Sequence, residues 1–200
     1  MQGGTKTRRG RTRQGAGQGA RAQARLIANR TFVKTASEQA WAQGAAGEEH
    51  VGELLDTLQG RGWSAVHDVK RGVRGASVDH VVVGPPGVFV LDTKCVSGRV
   101  WVAGEHIRVN TFPQNYLEKL EEQVGFVRER LLAATGRRTL EVQGLLVFVE
   151  SQLEVGEPPS THWVLSDDAL LGTLARLPPR LPPEDVAELA QALTRRATWT

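Results

Sequence analysis

SVDHVVVGPPGVFVLDTK, residues 77–94, reads as two strands joined by a tight turn. Val78 to Val83 and Val88 to Leu91 are rich in β-branched and apolar residues, and Gly84-Pro85-Pro86-Gly87 between them is turn chemistry. Each strand carries acid where a buried strand should not. Asp79 opens the first, Asp92 ends the second, and Lys94 follows two residues later. Side chains at i and i+2 share a strand face, so Asp92 and Lys94 point the same way. Charged groups are seldom fully buried unless paired or bound to metal.

Two carboxylates and a lysine at the ends of paired apolar strands suit a hard-cation site with a cationic assistant. Mg²⁺ takes carboxylate ligands, keeps several waters and binds phosphate oxygens. It lowers the pKa of a bound water and offsets charge on phosphate, and a nearby lysine positions that water or stabilises developing negative charge. The pattern therefore points to metal-assisted phosphodiester hydrolysis. The structural alternative is an Asp92–Lys94 pair closing a strand end, with Asp79 capping a turn.

Further motifs flank this hairpin. Gly44-Ala45-Ala46-Gly47-Glu48 precedes Val51, and Ser97-Gly98-Arg99-Val100 follows Lys94. Together with Asp79-His80-Val81-Val82-Val83-Gly84-Pro85 and Gly87 to Lys94, they resemble the nuclease-related domain over about Gly44 to Glu150. That domain is grouped with the restriction-endonuclease-like nucleases, whose pattern is Asp, a spacer, then Asp or Glu, one residue, and Lys. Two positions depart from it: Asp92 stands where Glu is usual, and Cys95 where Asn is usual. The resemblance implies an α/β fold, a restriction-endonuclease-like mixed central sheet flanked by helices. It implies a nuclease acting on DNA, with RNA left open, in which Asp79 and Asp92 bind Mg²⁺ or Mn²⁺. Glu48 would be a third or water-mediated ligand, and the Thr93 carbonyl would complete the shell. Lys94 would orient the attacking water. Gln123 or Gln114 would hold the site or the nucleic acid. The alternatives are a non-catalytic nucleic-acid-binding module that keeps the nuclease fold, and a partner-binding scaffold.

The rest of the chain fits around this centre. The domains expected are a basic arm with a helix in its later part over 1–43, the nuclease-like domain over 44–150, and a strand and helical extension over 151–200. Residues 1–37 hold nine Lys or Arg, including Arg8, Arg9, Arg11 and Arg13, and no acid; since the whole chain is +3, residues 38–200 sum to −6. A flexible basic arm of this kind fits nucleic-acid phosphates. A solubilising tail and an Arg-rich mitochondrial presequence are the other readings of it. A binding module should carry a basic folded part, so the −6 favours an acidic metal site plus a basic arm. No apolar run is long enough to span a membrane, and no apolar segment follows the N-terminal charges as in a secretory signal. One cysteine, Cys95, permits no internal disulfide, in keeping with a reducing cytoplasm.

Val51, Leu54, Leu55 and Leu58 form one apolar stripe, predicting a helix over 44–58 with Glu48 a turn earlier. The bland reading of Glu48 is an acid complementing the dipole of a first helical turn. Strands are predicted over 63–69, 99–102, 106–110, 142–149 and 162–165, and helices over 115–132, 167–176 and 184–196. His80, beside Asp79, faces the other side of its strand and reads as a packing histidine. Arg128, Arg130, Arg137 and Arg138 balance Glu118, Glu121, Glu122 and Glu129, a solvated charged face.

Overall fold

A computed structural model describes residues 38–71 and 77–200. The chain divides into Met1–Ala42 and Gln43–Thr200. In the first unit, residues 38–42 are described and are helical. Arg8, Arg9, Arg11 and Arg13 lie outside the described residues, as does most of the glycine-rich loop after Lys70.

The second unit opens with helix α1, residues 43–56 within it. Its strands are β1 (Ser64–Lys70), β2 (Ser77–Gly84), β3 (Gly87–Cys95), β4 (Arg99–Ala103), β5 (His106–Val109), β6 (Phe112–Gln114), β7 (Val142–Val149), β8 (Gln152–Glu157) and β9 (Trp163–Ser166). Helices α2 (Tyr116–Thr135), α3 (Asp167–Arg176) and α4 (Pro183–Thr194) complete it. The central sheet runs β1-β2-β3-β7-β9. Its first three strands are antiparallel, and β3, β7 and β9 are parallel.

Alternation along β3 separates the core into two layers. Val88 and Val90 pack with Val81, Val83, Leu146 and Phe148 beneath α2 and α4. Phe89 and Leu91 face the other way, with Val82, Leu145 and Val147, against Val51 and Leu55 of α1 and Leu170 and Leu174 of α3. A strand covered on both faces must be nearly continuously apolar, which is why β7 reads VQGLLVFV, with half-buried Gln143 near its start the one polar side chain.

The strands after Lys94 do not extend the central sheet. β4 and β5 form a second sheet of order β6-β5-β4-β8. The reason is that β3 already has β2 on one side and β7 on the other, so it offers no free edge. Gly98, at φ +107°, turns the chain away, and β4 pairs with β5 and with β8 instead. Among the described residues no helix is long and apolar enough to cross a membrane.

Candidate active site

The β2–β3 pairing runs through His80 opposite Leu91. One step further sets Asp79 across from Asp92, and there the backbone ladder gives way to a side chain. The Thr93 N–H donates to Asp79 Oδ2 at 2.7 Å. Because β3 is central, Asp92 is only 3 % exposed. Its two oxygens are claimed from different directions. Lys94 Nζ lies 2.5 Å from Oδ2, as the shared strand face requires, in an ion pair without hydrogen-bond alignment. Gln123 Nε2 donates to Oδ1 at 3.0 Å.

Gln123 arrives there because α2 buries Leu117, Leu120, Val124, Val127 and Leu131 against the same sheet face. A buried amide beside that stripe must find a polar partner, and Asp92 is the one within reach. This separates the two glutamines: among the described residues the Gln114 side chain bonds the nearby Phe112 carbonyl and not the acids. Gln123 itself is buried, with its amide turned to this carboxylate. Lys94 Nζ further donates to the Thr93 carbonyl at 3.3 Å and stands 5.4 Å from the ring of Tyr116.

Glu48 approaches from the opposite layer. Gly47 is buried, and a Cβ there would come within 2.8 Å of Cys95 Cβ. Glycine lets α1 lie against the end of β3 and carries the neighbouring Glu48 to the rim of the cluster. Glu48 is exposed and makes no hydrogen bond or ion pair with the other site residues. Partial desolvation raises its pKa most; Lys94 counters this, while Asp68 and Asp92 add to the rise.

Asp79 carries the largest electrostatic burden. Burial, then the charge of Asp92, then Glu48 push its pKa up to about 7, against the downward pull of the Thr93 N–H and of Lys94. Without a counter-ion beside it, Asp79 is therefore the carboxylate of this cluster that keeps a proton toward neutrality.

The donors fit a hard divalent cation in kind. Asp79 and Asp92 offer carboxylate oxygens, their repulsion would be relieved by positive charge, and Asp92 Oδ2 lacks a hydrogen bond. Among the described residues, no three His, Cys, Asp or Glu side chains converge closely enough to hold an ion. Two carboxylates and a carbonyl still suit Mg²⁺, which usually takes one or two carboxylates and completes its shell with water.

Two neighbours of the cluster were not read from the sequence. Tyr116, the single tyrosine, leaves no spacing signal, because its approach to Lys94 depends on where α2 docks. Asp68 precedes the hairpin and becomes visible only through register: His67 opposite His80 sets Asp68 across from Asp79, and its φ of +50° breaks the pairing. His80 belongs to the α1 layer. It is buried, its Nδ1 lies 2.8 Å from Nδ1 of His67, and His67 Nε2 lies 3.3 Å from Asp56.

The family model for the nuclease-related domain matches residues 43–149, more than half of the chain. No curated protein and no solved structure matches the chain.

Proposed function

The chain belongs to the nuclease-related domain family, and from that premise we propose that it is a divalent-metal-dependent nuclease. Its substrate would be the DNA phosphodiester bond, in DNA processing or repair in the cytoplasm. The observation that carries this is Asp92: a buried carboxylate held by Gln123 on one oxygen, faced by Lys94 on the other, and set opposite Asp79.

Asp79 and Asp92 would hold Mg²⁺ or Mn²⁺ with the Thr93 carbonyl, and Glu48 would act through water at the rim. Bound there, the cation would supply Lewis acidity and a more acidic water. Lys94, which faces Asp92, would orient the attacking water and stabilise charge growing on phosphate. Gln123 fixes the Asp92 rotamer throughout. The second reading is a non-catalytic binding module of the same fold. The Lys94–Asp92 closure favours it, as does the lack of three converging ligand side chains among the described residues.

Metal titration separates the two. Mg²⁺ or Mn²⁺ should raise the melting temperature of the wild type, because binding to the folded state alone stabilises it. Asp79→Asn combined with Asp92→Asn should abolish the rise. Lys94→Ala removes a competing cation, so metal binding should persist or tighten while cleavage of linear, circular and single-stranded DNA is lost. A wild type that neither responds to metal nor cuts DNA or RNA overturns the catalytic reading.

A further inference from the structure

The central sheet has a second built end. Where β3, β7 and β9 begin, away from Asp92 and Lys94, lies a cavity of about 440 Å³. This is within the size range of small-molecule sites. Phe89 and Trp163 line it, with ring centroids 6.3 Å apart, together with Arg128, Gln143, Glu141 and Arg180. Phe89 and Asp92 are three residues apart on one strand, about 10 Å of rise, and the cavity opens from the strand starts beyond Phe89, so it is not a lobe of the acid–lysine cluster.

The polar groups here are unequally committed. Arg180 faces Glu141 at 3.7 Å, and both are exposed. Of the other half-buried arginines on and just beyond α2, Arg130 bonds the Thr200 carbonyl and Arg137 joins Asp185 and Glu188. Arg128 is half-buried and makes neither a hydrogen bond nor an ion pair among the described residues. A half-buried guanidinium without an anion is a recognition group awaiting one. Gln143 spends its Nε2 on the Gly144 and Thr161 carbonyls, which fixes the amide and leaves Oε1 to accept from a ligand. Trp163 adds an aromatic surface for a planar ring.

We propose that this cavity binds a planar organic anion of the mononucleotide class. Its phosphate meets Arg128, its ring packs by Trp163, and a ring donor reaches Gln143 Oε1. The proposal does not rest on hydrolysis at Asp92, and its failure would leave that reading untouched.

Calorimetric titration of the full chain with dAMP, in EDTA so that no metal contributes, tests it. Saturable binding of one dAMP per chain is expected. Adenosine, which lacks the charge, and inorganic phosphate, which lacks the ring, should each bind at least about tenfold more weakly, as should dAMP to Arg128→Gln. Trp163→Leu should weaken dAMP comparably, with circular dichroism and melting showing both variants folded. Lys94→Ala should bind dAMP as the wild type does. The proposal is overturned if dAMP fails to saturate at millimolar concentration. Undiminished binding by Arg128→Gln, or binding lost with Lys94→Ala, overturns it equally, the latter placing the nucleotide at the acid–lysine cluster.

Discussion

Asp79 and His80 are adjacent in sequence, face opposite layers, and couple stability to pH with opposite signs. Burial and Asp92 raise the Asp79 pKa to about 7, whereas burial and then His67 lower that of His80 to about 4. Between the ordinary carboxylate value and 7, native Asp79 keeps a proton that the unfolded chain has lost, so its contribution falls as pH rises. Between 4 and the ordinary histidine value, the unfolded chain binds the proton that native His80 refuses, so that contribution rises with pH. The two oppose each other in mild acid and Asp79 alone acts just below pH 7. We expect metal-free Asp79→Asn, which keeps an acceptor for the Thr93 N–H, to gain stability steadily from about pH 4 to 6.5. It should exceed the wild type above pH 7 by on the order of 1–3 kcal/mol, after allowance for partial exposure. Urea midpoints across pH 4.5–8 in EDTA decide the matter. A variant no more stable than the wild type at pH 8 would mean that Asp79 carries no such burden. At this scale, the strand period alone made the Asp92–Lys94 pairing legible. The choice of Gln123 over Gln114 was not, because it depends on the rotation of α2 about its own axis.

Elements were legible where burial imposes a period. β7 and α3 fall on the predicted bounds, and α2 and α4 differ at their ends, because each lies against a core layer. β8 escapes the sequence reading because it is an edge strand with little buried: QLEVGE alternates at Leu153 and Val155, but Val155 is exposed and no residue of the strand is fully buried. It is a strand because β4 supplies a partner, and pairing is a tertiary fact. The hairpin turn is more demanding than its composition implies. Gly84 pairs with Gly87 across Pro85 and Pro86, and a Cβ on Gly84 would overlap the six-membered ring of Trp63. Gly84→Ala must therefore displace the indole, which also packs at 6.1 Å from Phe89. A loss of about 2 kcal/mol is expected, in the usual range for overpacking. Gly125 on α2 is the control: a Cβ there meets nothing within 4 Å. Gly125→Ala should be stabilising by about 0.5–1 kcal/mol through helix propensity. Guanidinium unfolding of the two variants measures both. A harmless Gly84→Ala would show that Trp63 has room to move, and that the close approach does not set the hairpin.

For the whole molecule, charge is the property most plainly written in the sequence, and it is divided. Residues 1–37 carry +9 while residues 38–200 carry −6, so the basic pI belongs to the arm and the acid to the part that holds Asp79, Asp92 and Glu48. An acidic site repels a polyanion at long range, and a basic arm would offset that repulsion by recruiting the backbone. If Arg8, Arg9, Arg11 and Arg13 contact phosphate, each contact adds about −0.9 to the slope of log affinity against log salt for duplex DNA. Deleting residues 1–37 should then weaken duplex binding at low salt and flatten that slope by about 3 to 4, the amount those four arginines supply. Cleavage at saturating DNA should survive the deletion, because every residue assigned to the chemistry lies after Gln43. Affinity measured by fluorescence anisotropy from about 50 to 200 mM salt, on the full chain and on residues 38–200, gives both slopes. Equal slopes would reduce the arm to a solubilising tail and require the acidic part to bind DNA by itself. A flattened slope with lost turnover at saturation would instead move part of the chemistry into the arm.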